Sequence, residues 1–450
     1  MNLKKYFNLV LLAGLLFVLR PPQGWGADAK HKISQVEVIG ADHTDVDWLK
    51  YYIDVEPFDE LSDLDVEILK KKILTTQVFS SVQLSFKPDT KTPGFEVLVC
   101  EIEEKWTWLP IIRAAYGGGT PVTILGTYNI HTFGRLWTLG AEAQKYGDAP
   151  VGGVLWARAP RWLKGKHVLG GELWKDYRKR IIYKGLTEED QLGMVSTDAT
   201  MLRGLYLMPV NWLNFLNEGS EWQAGLDFKV RLEAPTTFES YETGPQARTE
   251  PPNLSLPTKK SIQHSLLPTF IYDNMFIDNL DHDGVRTTLK AGPAWEEQGA
   301  SFRYETESFV YWLWNPHLEL GTHLLVGGST SDSLQSTYFL GGLDTIRGIP
   351  DGAIYGPRVA NFNAELKKIW PKFKYLWFQN ALFVDWGGAG RTWKDVYDSQ
   401  KSSVGVGVRF AIPQIYRLLV RVDYAWSLDR PGVSSISFGT AQFFQPYKPL

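Results

Sequence analysis

Val404-Gly405-Val406-Gly407-Val408-Arg409-Phe410-Ala411-Ile412 places a large apolar residue at every even position and glycine, arginine or alanine at every odd one. The next stretch repeats the pattern. From Leu418 to Trp426 the even positions are Leu, Val, Val, Tyr and Trp, while Leu419, Arg421, Asp423 and Ala425 take the other face. A period of two belongs to a β-strand, whose successive side chains point to opposite faces. Charge on one face and apolar bulk on the other fits a strand with lipid on one side and a polar lumen on the other. A soluble sandwich alternates too, but it turns its charged face to water and shares its apolar face with a second sheet.

Composition favours the lipid. The chain has 450 residues, of which 18 are tryptophan and 14% aromatic, yet its mean hydropathy is only −0.20. After the N-terminus no stretch approaches the ~20 apolar residues of a spanning helix. Lipid-facing strands with aromatic girdles keep hydropathy this low. A net charge of −3 gives neither a nucleic-acid footprint nor an acidic tail. Residues 108–450 supply enough chain for an antiparallel transmembrane β-barrel of about sixteen strands, at ~10 residues per strand plus turns. Gly117-Gly118-Gly119, Gly147-Asp148-Ala149-Pro150 and Asp281-His282-Asp283-Gly284 read as short returns between strands. The first strand is expected to begin near Ile111 and the last to run from Ser434 to Phe444. Pro235 to Ser261, with four prolines after residue 244, reads as a surface loop without assignable chemistry.

Residues 1–29 read as a secretory signal peptide. Lys4 and Lys5 precede an apolar run, Tyr6 to Leu19, and Ala27 and Ala29 make an Ala-x-Ala-like cleavage site, with Gly26 as a second candidate. A retained anchor is the other reading of the same run. Cys100 is the only cysteine, so no intrachain disulfide forms. Export and a barrel together place the protein in a bacterial outer membrane.

Residues 30–105 differ from the rest. Ile33 to Ile39 alternates as a strand and stops at Gly40. Asp45-Val46-Asp47-Trp48-Leu49 opens a short helix with carboxylates at its positive end. Ser62 or Asp63 caps a second helix with Leu64, Ile68, Leu69 and Ile73 at helical spacing. Val82 to Phe86 is a strand, and Pro93-Gly94 turns it into a partner spanning Phe95 to Ile102. The order β-α-α-β-β, with Val36-Glu37-Val38-Ile39-Gly40, Pro57-Phe58 and Val78-Phe79-Ser80-Ser81-Val82, resembles a POTRA module. One such module fits before the barrel. The resemblance implies a periplasmic unit whose exposed strand edge pairs with client polypeptides, as any unprotected edge allows.

A second constellation lies near the C-terminus. Gly341-Gly342-Leu343-Asp344-Thr345-Ile346-Arg347-Gly348-Ile349 puts one arginine in a glycine-framed loop after the eleventh expected strand. Asn363-Ala364-Glu365-Leu366 and Phe383-Val384-Asp385-Trp386-Gly387 follow on strand-like stretches. Phe362, Ala364 and Leu366 share one parity, and so do Leu376, Phe378, Leu382, Val384 and Trp386. Glu365 and Asp385 therefore face away from lipid, as do Tyr375, Gln379, Phe383 and Gly387. A guanidinium holds two carboxylates through its fork of donors, which lysine does not reproduce. Ile346-Arg347-Gly348-Ile349 and Phe383-x-Asp385-x-Gly387 resemble two signatures of the BamA/TamA/FhaC superfamily of outer-membrane assembly and translocation barrels. Ile346 stands for the usual valine, and Ile349 for an aromatic, which weakens the expected stacking around the arginine.

The resemblance implies that the loop folds back into the lumen and that Arg347, with Gly348, latches onto Glu365 and Asp385, supported by Ile346, Phe383 and Gly387. It also implies a seam between first and last strands that serves as a lateral gate, and clients that are unfolded outer-membrane or secreted polypeptides. Outer-membrane lipid and periplasmic accessory proteins complete the expected partners. Protein insertion or assembly is the first reading. Two-partner-type translocation is the alternative, and a passive porin a third that needs neither the module nor the signature. The tail, Gln445 to Leu450, carries Pro446 and Pro449, which do not extend a ladder. No catalytic residue, cofactor or metal site is expected. Gly327-Gly328-Ser329-Thr330-Ser331 lacks the last glycine of a hydrolase elbow. In Asn279-x-Asp281-x-Asp283-Gly284 the twelfth-position acid of a calcium loop is Lys290, so an Asp-Gly turn is the expectation.

Overall fold

The computed structural model describes residues 30–440 apart from 77, 116–121, 163–166, 211–212, 214–220, 243–248, 279, 343–344, 372, 374 and 413–418. The expected signal peptide, the Gly117–Gly119 return, Leu343-Asp344, Phe444 and the 445–450 tail lie outside the described residues.

The N-terminal unit runs β1 (Lys30–Ile39), α1 (Val46–Ile53), β2 (Glu60–Ser62), α2 (Asp63–Thr75), β3 (Phe79–Pro88) and β4 (Glu96–Glu104). Its sheet order is β2-β1-β4-β3, with β1 parallel to β4 and β4 antiparallel to β3. The expected order gains one element: Glu60–Ser62 pairs with Lys30–Lys32 before the second helix starts. Three residues between a proline and a helix cap are too few for a strand signal in the sequence. Asp45 caps α1 by accepting from the Trp48 N–H. Ser62 caps α2 in a reciprocal box with Asp65. Leu69 and Ile73 turn inward, but Leu64 is exposed, so the buried stripe of α2 starts one turn later than its spacing suggests.

The barrel strands are β5 (Trp108–Ala115), β6 (Val122–Thr132), β7 (Trp137–Tyr146), β8 (Gly152–Trp162), β9 (His167–Tyr183), β10 (Gln191–Pro209), β11 (Glu221–Glu233), β12 (Thr237–Ser240), β13 (Ser261–Asp273), β14 (Phe276–Asp278), β15 (Asp281–Glu296), β16 (Gly299–Asn315) and β17 (Leu318–Ser329). After a loop hairpin, β18 (Tyr338–Leu340) and β19 (Ile354–Gly356), come β20 (Arg358–Ile369), β21 (Trp377–Gly390), helix α3 (Trp393–Asp398), β22 (Lys401–Ala411), β23 (Leu419–Ser427) and β24 (Ser434–Thr440). They close into a barrel of eighteen strand segments among the described residues, β24 lying beside β5. Two of these, β12 and β14, are short flaps on longer neighbours, which leaves sixteen crossing strands. The first begins at Trp108, earlier than expected, because Leu109 and Ile111 already alternate inward with exposed Trp108 and Ile112.

The burial pattern is inverted relative to a soluble protein. Leu202, Leu226, Phe228, Leu382, Val406 and Phe410 are exposed on the outer wall, while Glu365, Lys367, Asp385, Arg409 and Asp423 are buried inside. Only a non-aqueous surrounding makes that arrangement favourable, since exposed apolar area is costly in water. Exposed Trp108, Trp314 and Trp370 sit at strand ends on the rim nearer the N-terminal unit, and Trp295 and Trp426 at ends on the far rim. This is the aromatic girdle of a membrane barrel.

Three further expectations change. Asp281–Gly284 is not a return: it is the start of β15, paired with β14 so that Asp278 faces Asp281, and the turn falls one step earlier. Gly284, at φ +113°, lies where a Cβ would be 2.5 Å from the Asn274 carbonyl, a close approach that mimics a turn glycine in sequence. Tyr375 precedes β21 and is exposed. The stretch after Pro235 is not a free surface loop. Leu254 is buried, Pro252 O accepts from Tyr355 Oη at 2.8 Å, and Ser255 bridges Ser333.

The N-terminal unit is fastened to the near rim. Asp45 Oδ2 lies 2.6 Å from Arg135 Nη2 in the β6–β7 turn, and its N–H reaches Gly134 O at 3.1 Å. The Trp48 N–H, ahead of the partly opposing burial and of Arg135, holds the Asp45 carboxyl below the usual range. Asp45→Ala removes both the helix cap and this tie. We expect a loss of about 1 kcal/mol from the cap alone, seen as earlier urea unfolding of the N-terminal unit with unchanged barrel mobility on gels.

Candidate functional site

The loop between β17 and β20 is a hairpin arm. Strands β18 and β19 pair antiparallel, Leu340 opposite Ile354, and the arm carries Arg347 into the lumen. Gly342 N–H donates to Ile349 O at 2.7 Å, closing the tip. Gly348, at φ +80°, fits where a Cβ would sit 3.1 Å from Ala425 Cβ. A larger residue would carry both backbone strain and a tight contact.

Arg347 is 1% exposed. Its Nε and Nη2 donate to the two oxygens of Asp385, each at 2.8 Å, in a bidentate fork, and its backbone N–H reaches Asp385 Oδ2 at 3.1 Å. Nη1 donates to Glu365 Oε1 at 2.6 Å and to Asp423 Oδ2 at 3.3 Å. Parity thus brings Glu365 and Asp385 to the loop arginine as the alternation required. Asn363 Nδ2 completes the seat, donating to Asp385 Oδ1 at 2.9 Å and to Thr345 O at 2.6 Å.

The supporting residues have physical roles. The Phe383 ring centroid lies 3.4 Å from the guanidinium carbon of Arg347, so the stacking expected of an aromatic at 349 comes from β21. Ile349 is instead buried with Leu186, Leu340, Ile346, Ile354, Val359 and Ala389. Gly387 leaves room for the tip: a Cβ there would stand 3.0 Å from Ile346 Cδ1 and 2.9 Å from Asn361 Oδ1.

Several members were not singled out from the sequence. Arg409 bridges Asp423 Oδ1 at 2.5 Å and Glu365 Oε1 at 3.0 Å. Lys367 Nζ donates to Glu319 Oε1 at 3.0 Å, and Glu319 also accepts from the His282 N–H at 2.8 Å. Arg421 Nε lies 3.6 Å from Asp423. The signal was present, since Lys367, Arg409, Arg421 and Asp423 all fall on the lumen parity. Arg347, Lys367, Arg409 and Arg421 thus balance Glu319, Glu365, Asp385 and Asp423. Their chemistry is electrostatic clamping: every carboxylate meets a cation, and among the described residues no cluster with metal-ligand character occurs.

Removing one partner from a buried pair leaves an uncompensated charge. In Arg347→Ala, Glu365 and Asp423 keep Arg409, whereas Asp385 keeps only neutral Asn363 among its contacts described above. We expect Arg347→Ala to cost about 3–5 kcal/mol and Arg347→Lys to restore little. Adding Asp385→Asn to Arg347→Ala should recover part of the loss. Heat-modifiable gel mobility and denaturant midpoints of the refolded barrel measure each step. Full stability of Arg347→Ala would show that the ion pairs do not hold the arm.

The Omp85 superfamily domain matches residues 206–444, more than half of the chain, including the arm and strands β20 to β23. Among solved structures, BamA from Haemophilus ducreyi lacking POTRA domains 1–3 aligns with 91% of this chain and 83% of its own at 16% identity, TM-score 0.50. CdiB from Acinetobacter baumannii aligns with 92% of this chain and 74% of its own at 10% identity, TM-score 0.61. CdiB from Escherichia coli aligns with 92% of this chain and 76% of its own at 12% identity, TM-score 0.61. At these identities the likeness is one of fold. No curated protein matches the sequence significantly. With its barrel, its arm and the matched domain in agreement, the chain belongs to the Omp85 superfamily, whose barrels reside in the bacterial outer membrane.

Proposed function

We propose that this barrel inserts or assembles proteins in the outer membrane, with the N-terminal unit acting as a periplasmic POTRA module and the β24–β5 seam as a lateral gate. One contrast carries the reading: apolar clusters gather at the far end of the lumen, while the two strands of the seam are anchored to different parts, β5 to the N-terminal unit through Leu109 and β24 to the arm through Ser435. Pro110 removes one backbone donor from β5. Parted edges at this seam offer a template for a client strand.

Axial passage meets more resistance. Ile182, Leu192, Val195, Leu254 and Leu334 form one apolar cluster across the far end, and the Ile349 cluster forms another. Export of a polypeptide through the lumen requires both to separate and the arginine clamp to release. A passive porin has no use for such a plug. We assign no covalent chemistry to the Arg347 cluster, whose carboxylates Glu319, Glu365, Asp385 and Asp423 are each paired with a cation.

Cysteines engineered into β5 and β24 and oxidised to a disulfide should stop assembly of client barrels, and reduction should restore it. Outer-membrane proteomics after depletion of the protein should show loss of several barrels. Loss of one secreted partner alone, with the membrane proteome intact, supports translocation instead. Planar-bilayer recording of a variant lacking residues 31–105 addresses the porin reading, which predicts steady conductance and no assembly defect.

A further inference from the structure

The turn that launches the closing strand is tied down on three sides. Arg430, in the β23–β24 turn, donates from Nη1 to Asp190 Oδ2 at 2.9 Å and to Thr187 Oγ1 at 3.4 Å, both in the β9–β10 turn on another part of the far rim. Asp190 is itself oriented by the N–H groups of Leu186 and Thr187, each at 3.0 Å, and by the Thr187 hydroxyl at 2.8 Å. Asp429, beside Arg430, accepts from the Ser402 N–H at 2.6 Å, which fixes the turn to β22. From inside the lumen, the Gly348 N–H of the arm donates to Ser435 Oγ at 3.0 Å, at the second residue of β24.

These ties surround a cavity of about 270 Å³ lined by Tyr183, Ile349, Pro350, Val433 and Ser435 among others. The closing strand is therefore held at this end by discrete polar links across a gap and not by packed apolar mass. At the near end the situation reverses. Glu104 accepts from Thr44 and leads into β5 within a few residues, and Asp45 grips Arg135 on the β6–β7 turn. The first strands thus belong mechanically to the N-terminal unit.

We propose that Arg430–Asp190 and Gly348–Ser435 form a far-rim clasp that pins β24, so that the seam opens from the near rim while its far end acts as the pivot. The inference rests on the lateral-gate reading and gives that gate a direction. The clasp is separable from the fold: the Arg430 and Asp190 side chains are 46% and 20% exposed, and exposed pairs add little stability. Loss of either charge should free the turn and leave the barrel closed elsewhere.

Spin labels on the full chain in lipid vesicles test this. One pair, at Ile112 and Ile436, reports the far half of the seam, and another, at Trp108 and Thr440, the near half. In the native background the near pair should show a broad or two-component distance distribution and the far pair a single narrow one. Arg430→Ala or Asp190→Asn should broaden the far distribution toward that of the near pair. The charge swap Arg430→Asp with Asp190→Arg should narrow it again. A far pair as broad as the near pair in the native protein, or a far distribution untouched by either variant, overturns the clasp while leaving a gate. Two narrow distributions, together with client assembly that survives a seam disulfide, overturn the gate itself.

Discussion

Burying a guanidinium without water is tolerable only when its donors are met by acceptors, and that requirement governs the architecture around Arg347. Desolvation of each ion costs several kcal/mol, and mutual attraction repays it only with good geometry. Here the geometry is a bidentate fork to Asp385 with a third bond to Glu365. Wall and arm are mutually dependent. The wall alone would present Asp385 without a cation, and the arm alone would carry a bare arginine into a closed space. The net contribution to stability need not be large for the cluster to specify one position of the arm. A neutral plug of the same volume could slide, whereas a fork to one carboxylate has a single low-energy seat.

Everything else about the lumen follows from keeping charge paired. Arg409 and Arg421 lie directly opposite on β22 and β23, a like-charge pairing that destabilises a bare ladder. Asp423 lies 2.5 Å from one and 3.6 Å from the other, and Glu365 holds Arg409 from the other side. The carboxylates that receive the arm are thus the ones that make the wall feasible. Displacing the arm disturbs the strands next to the closing strand, which couples the plug to the seam through a continuous set of contacts.

Alternation made the outer wall and the lumen faces readable from sequence, because a strand in lipid has no other way to satisfy both sides. Glu365 and Asp385 followed from parity. Arg409 and Asp423 shared the parity but not the outcome, since parity gives a face and not a height: only the register, which sets Asn363 opposite Asp385 and Gly407 opposite Asp423, brings them level. Ile349 illustrates a different limit. Its departure from an aromatic suggested weaker stacking, yet Phe383, 34 residues further along the chain, supplies the ring from β21. The prolines after residue 244 were read as a surface signal, but Leu254 and Leu256 among them are apolar residues that the arm covers. Asp281–Gly284 failed because a glycine needed for close approach and one needed for a turn look identical in one dimension.

The N-terminal unit and the first hairpin of the barrel are not separate bodies joined by a tether. Leu109 on β5 and Ile130 on β6 are buried in the same apolar cluster as Leu49, Ile53 and Phe79, and Tyr128 and Leu136 pack against it. His131 adds a polar bond at its edge, meeting Thr44 Oγ1 at 2.9 Å. Moving the unit while leaving β5 and β6 in place would expose this shared core, a cost set by apolar area. Moving them together exposes none of it and strains instead the pairing of β5 with β24, that of β6 with β7 and the contact of α2 with β14. A force applied by a polypeptide to the unit therefore reaches β5 and β6 on one side of the seam, and also β14 through Thr75 and Ile277. The other side is held to the arm by Asp423 and Ser435. The seam lies between two parts anchored to different things, and that is the mechanical condition for a gate.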